Sequence, residues 1–514
     1  QGAGGKVSTI ATATYTFKNL HGASMSSRYM FRFATQLSET ARQQQSAVLR
    51  IKCSPALTLP LLCVAVLLSS AARSEIPQAC AEPILKEDGK DLAAKPEHVH
   101  WGYLSRSLPP VLVVESGEIV TIETLTHHAG DDHSRMIKGD AGAESVYAWS
   151  GTNKGVDRRG AGPVDASLFG RGAGEGLGVH ILTGPVYVCG ARPGDVLEVQ
   201  IMDVHPRPAG NPEYEGFSFG SNAAAAWGFH YHDLIEEPRP REVVTIYEID
   251  STGRRNWARA VYRFRWTPQT DPFGVVHETI DYPGVIVDHT TTRKDFETLE
   301  GVRVPLRMHF GVLTLAPSEA EVVDSVPPSY TGGNIDDWRA GAGSSMYLPV
   351  AVDGALFSVG DPHASQGDSE LSGTAIEMSL TGVFKLVLHR QEAQQGTILE
   401  GLSYPLLETE EAWVVHGFSY PNYLRDLGAD AQQAIYEESS LDTAMRDAFR
   451  KMRHFLMTVH GLSEDEAISL LSVAVDFGVT QVVDGNWGVQ ATLKKSMFPA
   501  RAASALQEDS APGP

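Results

Sequence analysis

From about residue 95 to residue 400, short apolar runs alternate with loops that carry Gly and Pro. The stretch 111–125 reads as two short strands around the Ser116-Gly117 turn. Similar runs recur at 185–188, 196–204, 242–249, 259–266, 312–315, 383–389 and 413–418, without an obvious internal repeat. Short runs separated by turn residues predict sandwich- or barrel-like β layers rather than βαβ repeats. Near residue 426 the apolar spacing lengthens to that of a helix. Helices are expected over 431–436 and 441–460, the second with Ala444, Phe449, Met452, Phe455 and Leu456 on one side. Gly461 ends that helix, and Ser463 with Glu466 three residues on has the form of a capping box for the next. A final strand is expected at 479–483. The fold class is therefore mainly β, with a smaller C-terminal α+β unit. The expected organisation is an N-terminal extension (1–94), a β-rich body (95–400), an α+β portion of the same unit (401–498) and a disordered tail (499–514).

The N-terminal region has a different character. Residues 1–74 carry eight Lys/Arg and one acidic residue, Glu39, so the remainder holds 34 basic and 62 acidic residues. Residues 56–72 form an apolar run preceded by Arg50 and Lys52. Seventeen residues is at the short limit for a membrane span. Pro60 near the start of the run and the small residues at its end fit a secretory h-region with a cleavage zone, and the basic, Ser-rich stretch before it fits an organelle transit peptide. A removable targeting segment, a membrane anchor and sequence that is not native protein all remain open. The chain starts at Gln1, and Met25 is the first candidate start.

At 514 residues, with 42% apolar and 20% charged residues, the chain has the composition of a globular protein with a substantial core. Its net charge of -21 argues against nucleic-acid binding, which needs a basic stripe. Four cysteines, Cys53, Cys63, Cys80 and Cys189, are too few for a disulfide framework. Cys189 lies beside a predicted strand with no local charge partner, so an inert buried thiol is expected, in a body of reducing-compartment type.

Candidate chemistry concentrates in a few places. Residues 360–370, Gly-Asp-Pro-His-Ala-Ser-Gln-Gly-Asp-Ser-Glu, set Asp361, His363, Asp368 and Glu370 among glycines. Hard oxygen donors and an imidazole on a backbone free to curl are what a divalent metal needs. Asp361 and His363 are two apart and face one side if extended; Asp368 and Glu370 repeat that spacing. A polar turn whose carboxylates satisfy loop N–H groups is the alternative. Residues 126–133 hold His127, His128, Asp131, Asp132 and His133 after a strand, and read as a ligand loop, a substrate wall or a solvated loop. Glu123, on that strand, and Glu377, at the end of another, are candidate bases. Asn334 and Asp336 follow two glycines and suit substrate binding or a turn. The loop 170–176 lacks the Gly-Lys-Ser/Thr ending of a phosphate loop, and its Glu175 or Arg171 could point inward. A Ser-rich glycine loop with a partner Lys is missing from the sequence, and acid and imidazole around a cation would support metal-activated water.

Residues 360–370 resemble the G-D-x-H-A-x-x-G-D-x-E segment of the acetamidase/formamidase family, whose members hydrolyse short linear amides to a carboxylate and ammonia. The resemblance runs from about 98 to 498. It includes His100-Trp101-Gly102-Tyr103, Glu123 to Ala129, Arg158 to Pro163, Gly170 to Gly176, His180 to Pro185, Phe219 to Ala224, Gly332 to Asp336, Gly373 to Glu377 and Val483 to Gly488. The Thr126-His127-His128 block is similar to the long, formamidase-type branch. One departure is Gln490, where the family block ends in His. The resemblance implies an amidohydrolase for formamide, acetamide or another small neutral amide, and a homo-oligomer. On this reading Asp361, His363, Asp368 and Glu370 hold a divalent metal, zinc being favoured by the histidines and calcium left open by the oxygens. His127, His128, Asn334 and Asp336 contact substrate, and Glu377, Glu123 or Glu175 moves protons. A non-catalytic amide or urea binding protein is the alternative. Membrane contact is expected only if residues 56–72 stay attached.

Overall fold

The computed structural model describes residues 80, 90–149, 156, 177–231, 242–272, 274–280 and 284–498. These residues fall in one compact unit. The 56–72 run, Cys53, Cys63, the 170–176 loop with Arg171 and Glu175, and the tail lie outside the described residues. Among the described residues, no helix is long and apolar enough to cross a membrane.

Two large sheets carry the fold. A nine-stranded sheet has Leu380–His389, Val196–Pro206 and Ser344–Pro349 near its middle and Ala412–Phe418, Gly488–Lys494 and Asp476–Gln481 at one end. An eleven-stranded sheet includes, side by side, Val243–Asp250, Phe217–Ala224, Ile376–Glu377, Phe357–Ser365, His309–Thr314 and Gly332–Asn334. Each strand predicted from the apolar runs falls within one of these sheets. The pattern at 111–125 does give two strands, but they do not pair with each other. Leu112–Val114 runs parallel to Ile181–Val188 in the eleven-stranded sheet, while Ile119–Glu123 pairs with Lys90–Leu92 and Leu380–His389 in the other. The Ser116-Gly117 turn is thus a crossing between layers.

The sheets share one apolar core. Phe384 of the nine-stranded sheet meets Phe310 and Phe357 of the other, with ring centroids 5.2 and 6.1 Å apart. On the opposite face of the nine-stranded sheet, the helix Leu441–His460 buries Ala444, Ala448, Met452, Phe455 and Leu456 against Trp413, Val415, Ala491 and Leu493. The helix ends where predicted, at Gly461 with φ 68°, a left-handed cap that favours glycine. Ser463 and Glu466 form the reciprocal capping box of Glu464–Ala474.

Two expectations are corrected. Cys189 is not a free thiol: it is disulfide-bonded to Cys80, 109 residues away. Pairing over such a separation leaves no spacing signal to read. The segment after Val359 is also not a turn at first. The strand Phe357–Ser365 continues, fully buried, through Asp361 and His363, and the chain turns only beyond it.

Phe384 is fully buried between the two sheets. Phe384→Ala is expected to destabilise the fold by about 3–5 kcal/mol, through lost burial and the cavity left behind. Urea unfolding of the two proteins measures this directly.

Candidate active site

The site begins as a row across four neighbouring antiparallel strands. His309 faces His363, His363 faces Glu377, and Glu377 faces Ser221. Side chains directly opposite in this way lie on one face with their Cβ atoms about 4.5–5.5 Å apart. The sheet therefore fixes His363 Nε2 3.2 Å from Glu377 Oε1, and His363 Nδ1 3.1 Å from His309 Nε2. His309 is anchored in turn by Gln366 Oε1 at 2.9 Å. At the far end, Ser221 donates to Asp131 at 2.7 Å, and Asp131 lies 3.2 Å from His128 Nδ1.

Around this row the loops deliver more acid and imidazole. Asp361 Oδ2 lies 3.3 Å from His363 Nε2 and 3.7 Å from His180 Nε2, and Asp361 Oδ1 lies 3.8 Å from His127 Nδ1. Donor atoms of four triads each lie within 4.8 Å of one another: His127/His180/Asp361, Asp336/Asp361/His363, His363/Glu370/Glu377 and Asp336/Glu370/Asp484. Asp336, Asp361 and Glu370 hold this arrangement with φ of 53°, 52° and 48°, left-handed backbone that costs of order 1–3 kcal/mol each. Such strain persists only where the surrounding structure imposes it. The groups open onto a cavity of about 360 Å³. Its wall includes His127, His128, His180, Asn334, Asp336, Asp361, Glu370, Glu377 and Asp484 together with Leu177, Val179, Trp227, Val326 and Val483.

The comparison with known proteins bears on this cavity. The model of the Acetamidase/Formamidase family matches residues 177–498, which contain the strand row, Asp336, Glu370 and Asp484. This chain belongs to the acetamidase/formamidase family. Among its relatives, the acetamidase of Mycolicibacterium smegmatis is 30% identical over 226 residues, 39% of this chain and 51% of that protein. The formamidase of Methylophilus methylotrophus is 27% identical over 330 residues, 60% of this chain and 74% of that one. The chain thus spans about half the length of the M. smegmatis relative. The solved acetamidase of Yersinia enterocolitica superposes with a TM-score of 0.52 at 22% identity, over 80% of this chain and 94% of that one, a likeness of fold.

In this acetamidase/formamidase member the sequence-derived candidates separate into groups. Asp361, His363, Glu370, Glu377, Asp336, Asn334, His127 and His128 are brought together. Asp368 is not among them. Ser369 and Glu370 are both left-handed, so the alternation expected of a strand is broken, and Asp368 turns out to Trp338 Nε1 at 2.8 Å and Arg339 Nη1 at 3.3 Å. Glu123 is also elsewhere, paired with Arg207 at 2.9 Å and accepting from Ala94 N–H at 3.1 Å. His133 is exposed on a short helix beyond the buried loop, and Gln490 lies on the Gly488–Lys494 strand, accepting from Thr492 at 2.6 Å. Glu175 falls outside the described residues. His180 and Asp484 join the site unannounced. Both stand inside the blocks that carry the family resemblance, and that was their one signal.

The electrostatics follow from burial. Burial, with Asp361 adding to it, pushes Asp336 up to about 7. Burial likewise raises Glu370 and Asp484 well above the carboxylate range, each helped by Asp336. Asp361 goes the other way: burial opposes its charge, but His363 and His180 outweigh it and hold it well below. His363 is the counterpart, held well above the imidazole range by Glu377 and Asp361 against burial. His127 is depressed by burial and by His128.

This donor set fits a divalent cation. The family resemblance implies one, and three features of the chain agree. Glu377 Oε2 and Asn334 Oδ1 are buried without hydrogen-bond partners, while His363 Nε2 faces Asp361 and Glu377, and Asp336 pairs with Asp484, all within the cluster. The donors are carboxylates and imidazoles, the set that takes zinc or a similar ion. Gly311 leaves the floor open beneath them, since a Cβ there would stand 2.2 Å from Asp336 Oδ1 and 2.4 Å from Asp361 Oδ2.

Two outcomes are expected. Gly311→Ala should displace Asp336 and Asp361 and weaken any zinc binding by the site at least ten-fold while the far-UV circular dichroism is kept; elemental analysis of both proteins after zinc loading reads it out. Burial also raises Asp324, on the cavity wall, to about 7 from an ordinary 3.8. Stability that rests on neutral Asp324 is complete below pH 3.8 and is lost as pH rises through 7. Asp324→Asn should therefore raise the Tm more at pH 8 than at pH 5, as thermal unfolding at the two pH values will show.

Proposed function

We propose that this chain hydrolyses the C–N bond of a linear amide to a carboxylate and ammonia. The observation that carries the reading is the cavity at whose base buried carboxylates and imidazoles converge, in a chain of this family. A divalent cation bound by Asp336, Asp361 and His363, with zinc favoured, would polarise the amide oxygen and acidify a water molecule.

Amide nitrogen donates into its carbonyl, so the carbonyl is a poor electrophile and the amine a poor leaving group until it is protonated. The residues of this chain answer each need. Asn334 Oδ1 and Glu377 Oε2 are buried and without partners, and can accept the two N–H groups of the substrate amide, setting its plane. Glu377, held by the Ala375 N–H at 2.9 Å, is placed to take a proton from water and return it to the departing nitrogen. His309 and Gln366 hold His363 in its rotamer from behind. The walls formed by His127, His128 and His180 shield the reacting atoms.

Ammonia release from acetamide by the full chain, before and after chelation, tests this. Activity removed by chelation and restored by zinc is the expected result. Activity indifferent to chelation in a metal-free sample would sink the metal route, and no release from any amide would sink the hydrolase reading. Glu377→Gln is expected to lower kcat by about 10²–10⁴-fold with little change in folding.

A further inference from the structure

We infer that the amide taken by this cavity carries an uncharged, apolar acyl group of ring size, larger than that of formamide or acetamide. The inference rests on the hydrolase reading and deepens it.

Volume is the first argument. At about 30 Å³ for each water-sized group, the four heavy atoms of acetamide would fill roughly a third of a 360 Å³ cavity. Cavities of this size ordinarily enclose ligands of ten or more heavy atoms.

The distribution of polarity is the second. The ionisable groups lie at the buried base, with Asp336 and Asp361 only 1% and 3% exposed. The outer wall is Leu177, Val179, Val326 and Val483, with the rings of Trp227 and Tyr436, all part-exposed. Trp227 is 40% exposed yet fixed in place by its Nε1, which donates to the Gly373 carbonyl at 3.1 Å. A part-exposed indole held still beside valines is a surface for a flat apolar group, which buries large area at little entropic cost.

The polar atoms of this outer wall are the third. Asp324 accepts from the Tyr436 hydroxyl at 2.6 Å and from the Val326 N–H at 2.8 Å, and Thr374 Oγ1 accepts from the Ala223 N–H at 2.8 Å. These groups are engaged within the protein. Among the described residues, they leave no anchor for a charged substituent and present an apolar face to whatever lies beyond the amide.

The test uses the full, zinc-loaded chain. Ammonia release is measured for acetamide, butyramide, hexanamide and phenylacetamide, and the Kd of each amide is measured by calorimetry on the same preparation. kcat/KM is expected to climb about four-fold per added methylene, with phenylacetamide at least 50-fold above acetamide. Trp227→Ala should lower the phenylacetamide-to-acetamide ratio of kcat/KM at least ten-fold. If that variant does not fold, Val326→Trp, which fills the outer volume, should lower the same ratio. A ratio of one or less in both kcat/KM and affinity overturns the inference. Graded binding without ammonia from any amide overturns the hydrolase reading and leaves the ligand class standing. Neither binding nor release overturns both.

Discussion

Carboxyl groups crowded together away from water repel one another, and the arrangement of this molecule turns on that repulsion. Two unit charges 4 Å apart interact by about 4 kcal/mol at the effective dielectric of a protein. Asp336 lies within 4.8 Å of Asp361, of Glu370 and of Asp484, and Glu370 within 4.8 Å of Glu377 and Asp484, so they cannot all be charged without compensation. Part of the compensation is internal: His363 takes a proton and stabilises Asp361. The rest comes from protons retained on Asp336, Glu370 and Asp484, which a divalent cation can replace. The strained backbone at three of these residues and the missing side chain at Gly311 are conditions for keeping the cluster together.

The two sheets explain how such a cluster is held without collapsing. Its stiffest members lie on adjacent strands of one ladder, where register alone sets their spacing. The loops then add His127, His180, Asp336 and Asp484 around that fixed row. The aromatic contacts among Phe310, Phe357 and Phe384 lie between the sheets and tie the ladder to its neighbour. Packing on one side of the strands and chemistry on the other are therefore coupled through the same few residues.

Much of this was legible in the sequence, for physical reasons that differ by element. The strand runs could be read because short apolar runs bounded by turn residues mark them, and the capping box at Ser463 because it is local chemistry. Asp361, His363 and Glu370 could be found because acid and imidazole at glycine-bordered positions are uncommon. Which residues faced inward could not be read so well. Asp368 was grouped with Glu370 by an alternation rule that two left-handed residues cancel. Glu123 was grouped with His127 by proximity, although its strand ends before the cavity. His180 and Asp484 come from distant segments, and no local pattern announces a partner that only folding brings near. The disulfide of Cys80 and Cys189 was invisible for the same reason.

The site draws on segments from His127 to Asp484, nearly the whole described chain. At about 5–20 residues per second, roughly 20–70 s separate the synthesis of those two residues on a ribosome. Late in that interval the nascent chain holds the imidazoles and the Asp361 carboxylate but still lacks the closing acid. Truncated products that end before residue 484 would carry an incomplete ligand shell on an otherwise extensive β body. Completeness of translation is thus built into the chemistry: a chain that stops early cannot present the finished site.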